Sequence, residues 1–302
     1  MSSAQVAAKL VKQLEEEDWR VLKAIETSVP LFESIPLRRI QKETGLHRDQ
    51  LEFRLSRLNY LGLVMHSEYG YIMNTAGMDA LALNHFAKNN QISGMGRSIG
   101  MGKESDVFEV LSDSGERMVI KFYRIGRISF RSTRKKRSYV GAENQHQWLT
   151  INVNAARKEG EGLTRAAQAG VTVPKFIAQN RHAVLMSEID GDMLFKCTPD
   201  DVPEPKNLLE SILENLRKAC TLGKIVNADI SEYNVLYDGV KPWIIDWPQF
   251  VTLEHPNAME LLKHDVEMVD SFFRKKFHIG VDLDIAVEYV LGKREKLVLI
   301  QI

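Results

Sequence analysis

The stretch Val226–Phe250, VNADISEYNVLYDGVKPWIIDWPQF, places Asp229, Asn234 and Asp246 in an apolar frame that reads as loop, strand, turn and strand. Two readings compete. Polar residues between hairpin strands are common turn chemistry. The D-x-x-x-x-N spacing from Asp229 to Asn234, followed by an aspartate that closes the apolar strand PWII, is also the arrangement of a phosphotransferase loop. In that loop the first aspartate orients or deprotonates an acceptor. The asparagine oxygen ligates a divalent ion, and the second aspartate bridges that ion to the β- and γ-phosphates. The flanking sequence decides between the readings.

Upstream, Gly100-Met101-Gly102-Lys103-Glu104-Ser105 precedes the strand DVFEV. Glycines let backbone amides approach phosphates, and a strand-loop-strand setting covers a nucleotide. The GKS or GKT ending of a P-loop is absent. Lys121 stands mid-strand in MVIKFYR, where a phosphotransferase holds its α- and β-phosphates; an exposed edge charge is the bland alternative. A helical glutamate must steady that lysine, and ARKEGEGL offers Glu159, with Glu161 as rival. Each feature alone is ordinary. Their joint order and spacing are those of a kinase.

The 302 residues suffice for two domains, and forty basic residues balance forty acidic ones. Nucleic-acid binding therefore has to come from local patches. Cys197 and Cys220 lack metal-ligand spacing, the amphipathic N-terminus is no signal peptide, and no apolar run approaches the roughly 18 residues of a membrane span. A soluble, cytoplasmic protein is expected. Residues 4–27 show helical spacing, IPLRRIQKETGL reads as a short helix ended by Gly45, and HRDQLEFRLSRLNYLGLV as a third. VMHSEYGYIMNT forms a hairpin turning at Gly70, which completes a winged helix-turn-helix. A glycine-rich segment marks a boundary near residue 90, beyond which strand and then helix patterns return. Arg124–Arg137 is a basic stretch containing Arg131, Arg134, Lys135, Lys136 and Arg137.

The motifs GMGKESDVFEV, VIKFYR, SFRSTRKKRSY, VPKFIAQNRHAVLM, DISEYNVL, IIDWPQ and HPNAMELLKHDVEMVDSFF closely resemble the Rio family of atypical kinases, in its winged-helix-bearing second branch and compact archaeal length. The resemblance implies an α+β fold: a winged helix-turn-helix over residues 1–90, then a bilobal protein-kinase-like domain over 91–302 lacking an activation segment. The N-lobe would span 91–187, with a flexible basic loop at about 124–147, and the C-lobe 188–302. Gly100, Gly102, Lys103, Glu104 and Ser105 would cover the phosphates of ATP, and Lys121 would pair with Glu159. Met186, Glu188 and Ile189 would line the adenine. Asp229 would be catalytic, and Asn234 and Asp246 would hold Mg2+ or Mn2+. Family members assist maturation of the small ribosomal subunit, and in this branch the metal aspartate, here Asp246, is thought to accept phosphate itself. The implied partners are precursor ribosomal RNA and proteins, without a membrane. Arg48, Arg54 and Arg57 on the recognition helix and the basic stretch would contact RNA, or DNA in the helix's case. Asn227-Ala228 departs from the usual His-Gly, a position where Asn227 could still brace the loop. Two other readings share the opening motif: a small-molecule phosphotransferase of the aminoglycoside or choline type, and a nucleotide-bound, non-catalytic RNA- or DNA-binding scaffold.

Overall fold

The computed structural model describes residues 1–126 and 142–301. Arg131, Arg134, Lys135, Lys136 and Arg137 lie outside the described residues. The chain divides into two compact units, Met1–Ala156 with Gln179–Ala183, and Arg157–Ala178 with Val184–Ile302.

The first unit begins with five helices, α1 (Ser3–Leu10), α2 (Glu16–Ser28), α3 (Leu37–Thr44), α4 (Arg48–Tyr60) and α5 (Thr75–Lys88), with a two-stranded wing, β1 (Val64–Ser67) and β2 (Gly70–Met73), before α5. The single helix expected over residues 4–27 is two. Ser2 caps α1 reciprocally with Gln5, and the Glu15 backbone N–H donates to Asp18 at 2.9 Å to open α2. The acidic run Glu16–Asp18 favours a helix start there, because anions stabilise the N-terminal end of the helix dipole. Gly45 ends α3 in the left-handed conformation, as expected. The wing pairs Val64 with Met73 and Ser67 with Gly70, and Ile35 bridges to Tyr71. Gly70 is required at this point, since a Cβ there would stand 2.3 Å from the Ile35 carbonyl oxygen. Trp19, Leu22, Ile25, Ile35, Ile40, Leu51, Leu55 and Leu58 close the core beneath.

Most of the glycine-rich segment that follows α5 is strand. An antiparallel sheet, β3 (Gly94–Met101), β4 (Ser105–Leu111) and β5 (Arg117–Tyr123), follows directly. Phe108, Ile120 and Phe122 supply its buried side chains, consistent with period-two alternation along β4. The winged helix and these strands share one unit through buried charge. Arg124, 1% exposed, clasps Asp79 of α5 with Nη1 and Nη2, each at 2.8 Å, and His182 Nε2 lies 2.8 Å from Asp79 Oδ1. Arg181 binds Glu26 of α2 bidentately, through Nε and Nη2.

The helix α6 (Ala142–Gln168) runs from the first unit into the second. The second unit holds the outer parts of β6 (Phe176–Asn180) and β7 (Ala183–Ser187), then α7 (Pro205–Thr221), the short strands β8 (Asp192–Met193), β9 (Ile225–Val226), β10 (Val235–Tyr237), β11 (Pro242–Ile244) and β12 (Val251–Thr252), and α8 (Ala258–Phe277). The tail adds β13 (Ile279–Val281), α9 (Leu283–Val290) and β14 (Leu299–Gln301). β10 pairs with β11 as the opening stretch predicts, Val235 against Ile244, and β12 folds back on β9. Among the described residues no helix is long and apolar enough to cross a membrane.

Burial alone would raise the Asp79 carboxyl, but the Arg124 charge and the bonds from His182 and Arg124 hold it at about 2. A carboxyl whose pKa is depressed by folding contributes stability above its unfolded pKa and loses it as pH falls toward the folded one. Chemical denaturation of wild type and Asp79→Asn across pH is therefore expected to show a stability difference that shrinks by about 2 kcal/mol between roughly pH 4 and pH 2.

Candidate active site

Gly102 N–H donates to Ser105 O at 2.8 Å and closes the tip of the β3–β4 hairpin, with Lys103 and Glu104 exposed and Ser105 half-buried. The register of β3 against β4 shifts twice, around Ser98, so the glycine strand is irregular where it approaches the tip. Neither Gly100 nor Gly102 is demanded by the fold. Neither has a positive φ; a Cβ at Gly100 would meet nothing within 4 Å, and one at Gly102 only ordinary contacts. Their small size leaves space at the hairpin, as a bound phosphate requires. Lys121 is buried in β5 opposite Val107, its Nζ 4.9 Å from the Tyr123 ring centroid, so it is not an exposed edge charge.

In the second unit the two helical glutamates separate cleanly. Glu161 is partly exposed and pairs with Arg165 at 2.9 Å, one helical turn away. Glu159 is 1% exposed, and its Oε2 accepts from the Trp247 backbone N–H at 2.6 Å, directly after Asp246. Met186 is buried at the end of β7, and Glu188 and Ile189 follow it half-buried in irregular backbone.

The three residues of the opening stretch come together. Asn227, almost fully buried, donates from Nδ2 to the Asp246 carbonyl at 3.1 Å and accepts at Oδ1 from the Asp229 N–H at 3.2 Å. Asn234 Nδ2 donates to the Asp229 carbonyl at 2.7 Å, and the Ile245 N–H returns to the Asn234 carbonyl at 2.9 Å. Asn234's amide nitrogen is thereby committed, so its Oδ1 is the atom that would ligate a cation. Asp229 is exposed, while Asn234 and Asp246 are half-buried. Two hard-oxygen side chains suit Mg2+, which takes one or two protein ligands and fills its sphere with water and phosphate oxygens. No cluster of three His, Cys, Asp or Glu suited to an all-protein cage exists among the described residues.

Two non-glycine residues here are held in the left-handed region, Ala228 and Asp246, both at φ 69°. Such strain persists only where surrounding bonds over-determine the backbone. Asp265 of α8, missed in the sequence reading, provides them: Oδ2 accepts from Ala228 N–H at 2.8 Å and Oδ1 from Ile230 N–H at 3.2 Å. Burial, against the downward pull of the two amides and with a further push from the Asp229 charge, leaves this carboxyl raised to about 7. An aspartate at helical spacing from the buried Leu262 and Val269 was the available signal.

On α4 the arginines divide. Arg48 is exposed and pairs with Glu52 at 2.8 Å. Arg54 and Arg57, expected to face outward, turn into their own domain instead. Arg54 reaches Glu15 at 2.8 Å and Glu17 at 3.4 Å, and Arg57 binds buried Asp18 and donates to the Gln13 carbonyl at 2.8 Å. The Arg54 bond and charge hold Glu15 below its ordinary value. The reason is the acidic start of α2, which offers nearby counter-ions. Arg124 likewise leaves the basic stretch for the interior.

Comparison with known proteins now decides the family. The RIO domain family matches residues 106–285, and the Rio2 N-terminal family matches residues 11–89. The chain belongs to the RIO family. A RIO-type serine/threonine-protein kinase Rio2 from Methanocaldococcus jannaschii is 35% identical over 266 residues, covering 85% of this chain and 98% of that protein. The Schizosaccharomyces pombe serine/threonine-protein kinase rio2 is 31% identical, over 91% of this chain and 80% of its own length. The crystal structure of the Chaetomium thermophilum Rio2 kinase in an ADP/Mg2+-phosphoaspartate complex superposes with a TM-score of 0.79 at 30% identity, covering 95% of this chain and 89% of that one. The Rio2 branch, the fold class and the serine/threonine-kinase class of enzyme are therefore those the sequence motifs pointed to.

Two substitutions test the loop. Ala228→Gly relieves the left-handed strain and is expected to raise stability by roughly 0.5–1 kcal/mol in urea denaturation. Asp265→Asn sets an amide NH2 against a backbone N–H, and is expected to cost about 1–3 kcal/mol, with a fall in turnover as Asp229 loses its support.

Proposed function

We propose that this chain is a Mg-ATP-dependent atypical serine/threonine kinase and ATPase that phosphorylates its own Asp246 and acts in maturation of the small ribosomal subunit. The observation that carries the chemistry is the Asn227 clasp, which binds the loop of Asp229 to the backbone of Asp246 and does for this chain what the family's histidine would do. Gly100–Ser105 and Lys121 serve as the phosphate-binding groups, and Met186, Glu188 and Ile189 line the adenine. Glu159 fixes the backbone that follows Asp246. Asn234 and Asp246 would hold Mg2+, which neutralises phosphate charge during transfer. A carboxylate oxygen of Asp246 bonds to the γ-phosphorus as the bond to the β,γ-bridging oxygen breaks, and ADP departs. Water then hydrolyses the acyl phosphate, which restores the carboxylate and releases phosphate. Asp229 orients the attacking group.

The phosphoaspartate of the Chaetomium relative and the short chain after Asp246 support this reading over routine peptide phosphorylation. Only residues 247–257 separate Asp246 from α8, and β12 already occupies two of them. That leaves no platform of the kind that positions peptides in ordinary kinases. RIO family membership answers the aminoglycoside- or choline-type alternative. The ribosomal role rests on the family's character and on the basic stretch. Within α4, only Arg48 remains exposed for an RNA phosphate.

The test is labelling from γ-phosphate-labelled ATP with Mg2+. Label sensitive to hydroxylamine and lost in Asp246→Asn is expected, and Asp229→Asn should slow turnover by roughly 10²–10⁴-fold. Hydroxylamine-stable label, or full labelling of Asp246→Asn, would move the acceptor elsewhere. Purified precursor small subunits are expected to change the turnover rate, and indifference to them would remove the ribosomal part.

A further inference from the structure

Arg124 does more than neutralise buried acids. Its Nη1 and Nη2 hold both oxygens of Asp79 on α5, and Nη2 reaches Ser3 Oγ on α1 at 3.2 Å. Its Nε donates at 3.0 Å to Asp106 Oδ2 on β4, one residue beyond the hairpin's Ser105. Its backbone N–H donates at 2.5 Å to the carbonyl of Glu104, in the hairpin tip itself. Asp106 in turn pairs with Met101 on β3, so both legs of the hairpin are tied to the same residue. The next residue is held as firmly: Ile125 N–H donates to Asn152 Oδ1 at 2.7 Å, and Asn152 Nδ2 returns to the Ile125 carbonyl at 3.2 Å.

A fork bound on two edges in a dry interior has one geometry, because tilting the guanidinium breaks parallel bonds together. Such an element transmits displacement instead of absorbing it. All of these groups lie in the first unit, so α5 and the hairpin are joined by a chain of side-chain and backbone bonds with no loop intervening.

We propose that Asp79, Arg124 and Asp106 form a positioning device that couples helix α5 of the winged helix to the Gly100–Ser105 hairpin, so that nucleotide affinity is set in part from the winged-helix domain. The proposal rests on the reading of that hairpin as the phosphate cover. It makes the winged helix part of the nucleotide-binding apparatus, whatever else that domain touches. Coupling is reciprocal: nucleotide on the hairpin tightens α5, and a partner that shifts α5 changes nucleotide affinity.

The experiment uses the full chain and a fluorescent ADP analogue with Mg2+, at a temperature where circular dichroism shows every variant folded. Asp79→Asn keeps the shape of the side chain and removes its charge. Leu55→Ala loosens the winged-helix core on α4 and controls for general destabilisation. Asp79→Asn is expected to weaken binding at least fivefold and to speed hydrogen exchange over residues 100–106, with Leu55→Ala within twofold of wild type. In wild type the Mg-ADP analogue is expected to slow exchange in α5, and in Asp79→Asn it is expected not to. Affinity and exchange unchanged in Asp79→Asn would overturn the coupling. Gly102→Val separates the two readings: weakened binding in that variant with an unaffected Asp79→Asn sinks the coupling alone, while full binding in Gly102→Val sinks the hairpin reading and the coupling with it. If Asp79→Asn does not fold, Ser3→Ala removes one acceptor from the same guanidinium. Faster exchange over residues 100–106 in that variant supports the device, and unchanged exchange overturns it.

Discussion

A guanidinium does not lose its charge inside a protein, so wherever Arg124 is buried, anions must be buried with it. That constraint organises the first unit. Asp79 comes from a helix and Asp106 from a strand, and both are drawn to one cation at the end of β5. Once the charges meet, a domain of helices and a sheet of strands can no longer be described as beads on a string. The same cost that makes a buried ion pair a poor source of net stability makes it an effective way to fix one arrangement against others.

The second unit solves a different problem by similar means. Loop residues that carry reactive side chains must be held from behind, since their tips face solvent. Asp265 and Asn227 do this with side chains that bond to backbone and leave the Asp229 side chain at the surface. The left-handed geometry at Ala228 and Asp246 shows that this support is strong enough to hold unfavourable backbone in place. Asn227 spans the gap with an amide, a shorter group than the usual imidazole that still offers one donor and one acceptor.

Legibility in the sequence followed locality. The hairpins at Gly70 and between β4 and β5, the cap at Gly45, and the Asp229–Asn234 spacing are set by neighbours a few positions apart, and each was readable. Glu159 was named ahead of its rival Glu161, but its role had no local signal, because two residues on one helix differ only in what each meets, and the partner of Glu159 is 88 positions away. Arg124 looked like the first of a run of surface cations, yet its main partner is 45 positions upstream. Arg54 and Arg57 were read as outward charges because the acidic start of α2, which claims them, lies across the domain rather than along their helix. Asp265 was hidden for the same reason. Charge content is visible in sequence, whereas charge pairing is a property of the fold.

The brevity of residues 247–257 also bears on regulation. Many kinases are switched on when a long exposed strap beyond the metal-binding aspartate receives a phosphate and docks on arginines. Here that strap is replaced by a tight turn and a two-residue strand paired to β9, leaving an upstream enzyme no handle at this position. Whatever times the proposed phosphotransfer therefore has to enter through another part of the chain than the segment after Asp246.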